Sequence, residues 1–179
     1  MATQKALVTG GAGFIGSNVV RKLVERGWNV TVLDDLSTGF LENLEALPKD
    51  RVTLVRGDVR DAGTVLRLTV DSSAVFHFAA SVGNLKSIEQ PRFDAEVNVL
   101  GTLSVLEAVR EHRTPKMVFS SSSAIFGEVA YLPLDEAHPA EPDSPYGVTK
   151  LAAEKHCLAY SKLFDLDIVC LRYFTVSGV

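Results

Sequence analysis

Residues 5–17 read Lys5-Ala6-Leu7-Val8-Thr9-Gly10-Gly11-Ala12-Gly13-Phe14-Ile15-Gly16-Ser17. Ala6-Leu7-Val8 is a short apolar run of the kind that forms a parallel strand buried on both faces. A glycine-dense turn follows, and then Phe14, Ile15, Val19, Val20, Leu23 and Val24 recur at helical spacing up to Gly27, which predicts a helix that stops at that glycine. Strand, glycine turn and helix form the context of a dinucleotide fingerprint. Gly11, Gly13 and Gly16 satisfy G-x-G-x-x-G, and Gly10, Gly13 and Gly16 the wider G-x-x-G-x-x-G. Such glycines make the turn, let a pyrophosphate approach the backbone and let the helix pack closely. The free N–H groups at the helix start then face the phosphate charge.

A flexible turn would also be rich in glycine, and the next strand separates the two readings. Asn29-Val30-Thr31-Val32-Leu33 runs into Asp34, about 20 residues past the glycines, where an acid hydrogen-bonds the adenosine ribose hydroxyls. It would repel a 2′-phosphate, and no arginine follows it directly. The expected cofactor is therefore NAD rather than NADP. The alternative for Asp34 is a turn cap within Asp34-Asp35-Leu36-Ser37-Thr38-Gly39.

The 179 residues are 46% hydrophobic and 22% charged, ordinary for one globular domain with a real core. A net charge of −4 argues against a nucleic-acid partner. No apolar run approaches the roughly 18 residues of a membrane span, and the start Met1-Ala2-Thr3-Gln4-Lys5 predicts no signal peptide. Cys157 and Cys170 lie in apolar-periodic segments and read as buried free thiols of a cytoplasmic, reducing environment. His77, His112, His138 and His156 show no metal-ligand spacing, so no metal is expected.

Further along, apolar residues at 36, 40, 41, 44 and 47 predict a short helix from Leu36 to Leu47 stopped by Pro48. Val52–Val55 reads as strand three, leading to Gly57-Asp58-Val59, and Asp61 as the cap of the next helix. Ala74–Phe78 reads as strand four, followed by the small residues Ala79-Ala80-Ser81. One long helix is expected over Ser87–Glu111; Gly101 within it costs about 1 kcal/mol relative to alanine, which suggests close packing there. Met117–Phe119 reads as strand five, running into Ser120-Ser121-Ser122-Ser123. A proline-rich connection from Glu128 to Pro145 is long enough to be functional. Ser144 and Pro145 suit the N-cap and first position of a helix that reaches Phe164, and Asp167–Arg172 reads as strand six. This alternation predicts an α/β doubly wound parallel sheet, a Rossmann fold ordered 3-2-1-4-5-6, with a crevice between strands 1 and 4.

Tyr146-Gly147-Val148-Thr149-Lys150 opens the last helix. Positions i and i+4 share a face. A phenol ionises near pH 10 and is a poor base at neutrality. A lysine ammonium, the positive helix end and a cationic nicotinamide would each favour the phenolate, and a tyrosine so tuned can exchange a proton with an alcohol. Ser122 at the end of strand five is placed to hydrogen-bond the same oxygen.

With these motifs the sequence resembles the extended short-chain dehydrogenase/reductase family, and within it the nucleotide-sugar epimerases of the UDP-glucose 4-epimerase type. The matching stretches are 8–17, 34–39, 57–59, 77–80, 98–102, 120–127, Ser144-Pro145-Tyr146 with Lys150, and 171–174. The resemblance implies an NAD site at Gly10, Gly13, Phe14, Ile15, Gly16, Asp34, Asp35, Ser37, Thr38, Gly39, Asp58, Val59, Phe78, Ala79, Ala80, Asn98, Ser120, Tyr146, Lys150 and Phe174. It gives Ser122, Tyr146 and Lys150 the catalytic role. It also implies a UDP-hexose substrate, epimerisation by transient oxidation of a sugar hydroxyl, and a homodimer formed through the Ser87–Glu111 and Tyr146 helices.

Three positions depart from the family pattern. Related 4,6-dehydratases carry an Asp-Glu pair where this chain has Ser123 and Ala124, which disfavours elimination of water. Phe126 replaces a tyrosine, and Thr175 an asparagine that touches the nucleotide-sugar. Family members also continue past residue 179 into a substrate lobe. The 179 residues are therefore expected to form the NAD-binding domain, with a non-catalytic NAD-binding module as the alternative to the epimerase.

Overall fold

Ala6 and Val8 point to one face of their strand and Leu7 to the other, and all three are buried. Both faces of the sheet must therefore be covered. The computed structural model describes residues 3–178. Its strands are β1 (Lys5–Thr9), β2 (Asn29–Asp34), β3 (Val52–Arg56), β4 (Ala74–His77), β5 (Met117–Ser122) and β6 (Ile168–Tyr173). They form one parallel sheet in the order β3-β2-β1-β4-β5-β6, as expected. Helices α1 (Phe14–Glu25) and α2 (Glu42–Glu45) cover one face, where Val20, Leu23 and Leu44 pack on Ala6, Val8, Val30 and Val32. Helices α3 (Ala62–Thr69), α6 (Gly101–Glu111) and α7 (Pro145–Phe164) cover the other, where Val65, Leu106, Val109, Ala153 and Cys157 meet Leu7, Leu33, Val75 and Phe119.

The expected stop and start signals act where the sequence places them. Gly27 takes φ +83° just beyond α1. The Asp61 carboxylate accepts from Thr64 N–H at 3.1 Å, and the Ser144 hydroxyl accepts from Gly147 N–H at 3.2 Å.

Three expectations need correction. Instead of a helix over Leu36–Leu47, only Glu42–Glu45 is helical. Side-chain acceptors take the backbone donors first: Asp34 binds Leu36 N–H and Asp35 binds Ser37 N–H, which favours turns over helix. Leu36 takes φ +61° as a result. The single helix over Ser87–Glu111 is instead α4 (Asn84–Glu89), α5 (Pro91–Ala95), a π turn over Glu96–Leu100, and α6. Pro91 forces Gln90 out of the helical region, to φ −132° and ψ 59°. Strand five is longer than expected, because Ser120, Ser121 and Ser122 pair with Leu171, Arg172 and Tyr173 of β6.

Gly101 opens α6 against the loop after β3. A Cβ there would lie 2.6 Å from Val59 Cγ1, too close for any real contact. Gly101→Ala is expected to lower stability by about 1–3 kcal/mol despite alanine's better helix propensity. Val59→Ala in the same chain should recover part of that loss, a coupling readable in urea unfolding of the two single variants and the double variant.

Candidate active site

The sheet order reverses between β1 and β4, and a cavity of about 410 Å³ opens there at the carboxyl ends of the strands. The turn after β1 lines one side. Gly10 has φ +68°, and a Cβ on it would lie 2.6 Å from the backbone nitrogen of Ala79. Glycine thus lets the ends of β1 and β4 touch. A Cβ on Gly16 would run into the carbonyl of Gly10, so α1 starts directly on the turn. Gly13 precedes α1 with no capping side chain, and no acidic residue lies in the first turn. The N–H groups of the lining residues Phe14, Ile15 and Gly16 remain available to an anion, while that of Gly13 donates to the Gly10 carbonyl.

Asp34 lines the same cavity and is 8% exposed. Its Oδ2 accepts from Ala12 N–H and its Oδ1 from Leu36 N–H, both at 2.9 Å. The turn-cap reading of Asp34 holds, and each oxygen uses one acceptor site on the protein and keeps another. Asp35, Ser37, Thr38 and Gly39 continue the wall. Asp58 and Val59 line it at the end of β3. Arg60 chelates Asp58 through Nε and Nη2 and holds its carboxyl below the usual range. Phe78, Ala79 and Ala80 form the floor after β4.

Ser120, Ser122, Tyr146, Lys150 and Phe174 reach the same cavity from β5, α7 and the segment after β6. Only Asn98 of the expected residues does not line it. The π turn points Asn98 inward, where its Oδ1 accepts from Ser81 N–H at 2.8 Å and its Nδ2 donates to Ser81 O at 3.0 Å. Asn98 thus acts on the cavity through the segment that follows β4.

The sequence reading missed Lys86, Phe93, Val97 and Val176 among the lining residues. Lys86 and Arg60 stack over the Phe93 ring at 5.1 and 5.2 Å from its centroid. The Gln90-Pro91 dipeptide was the available signal: it breaks the helix and turns α4 and α5 toward the site.

Burial pushes the Tyr146 phenol above its ordinary value; a hydrogen bond with Ser122 opposes this and the Asp94 charge adds to it. The chain by itself thus favours the neutral phenol. Lys150 is 3% exposed and its Nζ lies 4.5 Å from the centroid of the Phe119 ring. Burial lowers its ammonium to about 8, against the opposing pull of Cys157, Asp94, Cys170 and Glu154.

Two further buried groups brace the site. His77 spans β1, β4 and α6, with Nδ1 2.6 Å from Thr9 Oγ1 and Nε2 3.0 Å from Thr102 Oγ1. Thr102 spends its own proton on Asn98 O, so the network assigns the ring proton to Nε2. Burial, then the Lys150 charge, lowers this imidazole to about 3 and keeps it neutral. Glu154 accepts from Ser121 and from Arg172; these bonds outweigh the effect of burial and lower its carboxyl.

The family model of GDP-mannose 4,6 dehydratase matches residues 7–179. The UDP-glucose 4-epimerase of Halalkalibacterium halodurans is 42% identical over 96% of this chain and 51% of its own length. Among solved structures, the UDP-N-acetylglucosamine 4-epimerase from Methanobrevibacter ruminantium in complex with UDP-N-acetylmuramic acid superposes with a TM-score of 0.94. It is 35% identical, over 99% of this chain and 57% of that one. The UDP-glucose 4-epimerase from Brucella ovis in complex with NAD gives a TM-score of 0.89 at 38% identity, over 98% and 53%. The chain thus spans about half the length of the curated relatives it matches. With the glycine turn, the six-stranded parallel sheet and this match over nearly all its residues, the chain belongs to the GDP-mannose 4,6-dehydratase family, the nucleotide-sugar epimerases and dehydratases of the extended short-chain dehydrogenases/reductases.

Proposed function

We propose that this chain is the NAD-binding domain of a UDP-hexose 4-epimerase. One observation carries the reading: the glycine turn, Asp34 and the set Ser122, Tyr146 and Lys150 line a single cavity at the switch point of the sheet. The residues fit NAD on their own chemistry. The uncapped start of α1 suits a pyrophosphate, and Asp34 retains acceptor sites for ribose hydroxyls. Ser123 and Ala124 stand where a dehydratase would carry its acids, which favours epimerisation within a family whose model is named for dehydration.

In the proposed reaction NAD, when bound, would supply the acceptor and donor of the sugar's hydride. Tyr146 takes the proton from the sugar hydroxyl at its phenolic oxygen and gives it back after the keto-sugar has turned. Ser122 lines the same cavity and is placed to hydrogen-bond that oxygen and orient it. Lys150 brings a buried positive charge to the cavity wall, on the nicotinamide ribose by family resemblance. Free Cys157 and Cys170 fit a reducing cytoplasm, and among the described residues no helix is long and apolar enough to cross a membrane.

A second reading is an NAD-binding module without turnover. Tyr146→Phe separates the two when the polypeptide as translated in the cell is incubated with NAD+ and UDP-glucose and the sugars are analysed. The epimerase reading expects turnover that falls about 10²–10⁴-fold in the variant, with NAD binding retained. Turnover at the parent rate removes Tyr146 from its role, and NAD binding without any turnover establishes the module.

Asp34 beside the ribose predicts that NADP+ binds more weakly than NAD+ by about 1.4 kcal/mol or more, a factor of ten in Kd. Fluorescence titration with both cofactors checks this, and equal affinity refutes it. Leu100, Val148 and Leu158 leave apolar surface exposed at the π turn and on α7, which supports a homodimer through the helices that begin there. Light scattering at micromolar concentration should report twice the monomer mass; a monomer refutes the dimer.

A further inference from the structure

Asp94, near the end of α5, has a fully buried carboxylate. Its Oδ2 accepts from the Thr149 hydroxyl and, at 3.1 Å, from Asn98 Nδ2. Its Oδ1 has no hydrogen-bond partner among the described residues, nor does the neighbouring Ser81 Oγ. No cation lies within ion-pair distance of Asp94 among the described residues. An unneutralised buried carboxylate is costly, so its position calls for a reason.

Thr149 supplies one. It sits on α7 between Tyr146 and Lys150, and its hydroxyl reaches across to α5. The π turn between α5 and α6 turns Asn98 onto the same carboxylate, an irregularity frequently found at functional sites. The charge supplies the other. Tyr146 stands one helical turn before Lys150, and the other ionisable groups around it are His77, Cys157, Asp94, Cys170 and Glu154. His77 is neutral, Tyr146 is held protonated by burial, and Cys157 by its hydrogen bond with Cys170 and by burial. Glu154 is already paired with Arg172. Among the carboxylates, Asp94 is the one with no cation of its own.

We propose that Asp94 is a positioning residue of the active site: through Thr149 it fixes the turn of α7 that carries Tyr146 and Lys150, and it places a buried carboxylate beside that turn. This rests on the reading of the cavity as an NAD site. The sign follows directly. A lysine lowered by burial loses its charge as pH rises through about 8, and NAD affinity should fall over that range. Removing the Asp94 charge moves the loss to lower pH.

The experiment is titration of the protein with NAD+ from pH 6 to pH 9.5, for the parent, Asp94→Asn, Thr149→Val and a Cys170→Ser control. Asp94→Asn keeps the shape and removes the charge. It should bind like the parent at pH 6, have its midpoint lowered by about one pH unit, and bind about fivefold more weakly near pH 8. Thr149→Val, which breaks the bridge but keeps the charge, should bind more weakly at every pH. Cys170→Ser should move the midpoint less than Asp94→Asn does. An unchanged midpoint in Asp94→Asn, or an equal loss at all pH values, overturns the electrostatic role. Parent-like affinity in Thr149→Val overturns the positioning role, and does so even if Asp94→Asn fails to fold. A parent that binds no NAD+ at pH 6 overturns the cofactor reading itself, and with it this proposal.

Discussion

The close contact between the Gly10 backbone and the backbone of Phe78 and Ala79 is the constraint on which the rest of the structure depends. It brings the carboxyl ends of β1 and β4 together where the strand order reverses. A side chain at residue 10 would push the two halves of the sheet apart and fill the crevice. Because none is present, Asp34 reaches the turn from β2, and Ser122 and Tyr146 approach the same cavity from the other half. Asp34 then binds Ala12 N–H and stiffens the turn. The residue that would choose the cofactor therefore also holds the loop that would receive its phosphates.

The second half of the site is built from buried polar groups. His77, Asp94, Asn98, Thr102, Thr149, Lys150 and Glu154 are nearly inaccessible to solvent. Burying such groups is tolerable when they are hydrogen-bonded. Here the bonds join β4 to α6 through His77 and Thr102, and α5 to α7 through Asp94 and Thr149. The same low-dielectric surroundings lower Lys150 and raise Tyr146. Rigidity and altered proton affinity thus have one physical source.

The strands, their order and most of the cavity wall were legible in the sequence. The glycine turn, Asp34 and the small residues after β4 act through local chemistry: φ sign, a short acceptor at a strand end, absence of bulk. The same holds for the caps Asp61 and Ser144, whose partners lie within three residues. Continuous apolar runs, set between segments of helical spacing, placed the sheet because strands buried on both faces leave few other ways to fold.

What tertiary structure alone decided lies where side chains meet across elements. The apolar spacing of 36–47 suggested a helix, but the Asp34 and Asp35 carboxylates took the backbone donors that a helix needs. The inward turn of Asn98 depends on the π turn and on Ser81, 17 residues away. The seat of Lys150 on the Phe119 ring, within the field of Asp94, likewise comes from packing across elements. The fold, the crevice and the residue types around it follow from periodicity and backbone conformation, which residue order alone specifies. The partners of the buried charges were decided only by the three-dimensional packing, because an electrostatic interaction depends on distance and burial, and neither is written in the spacing of residues along a chain.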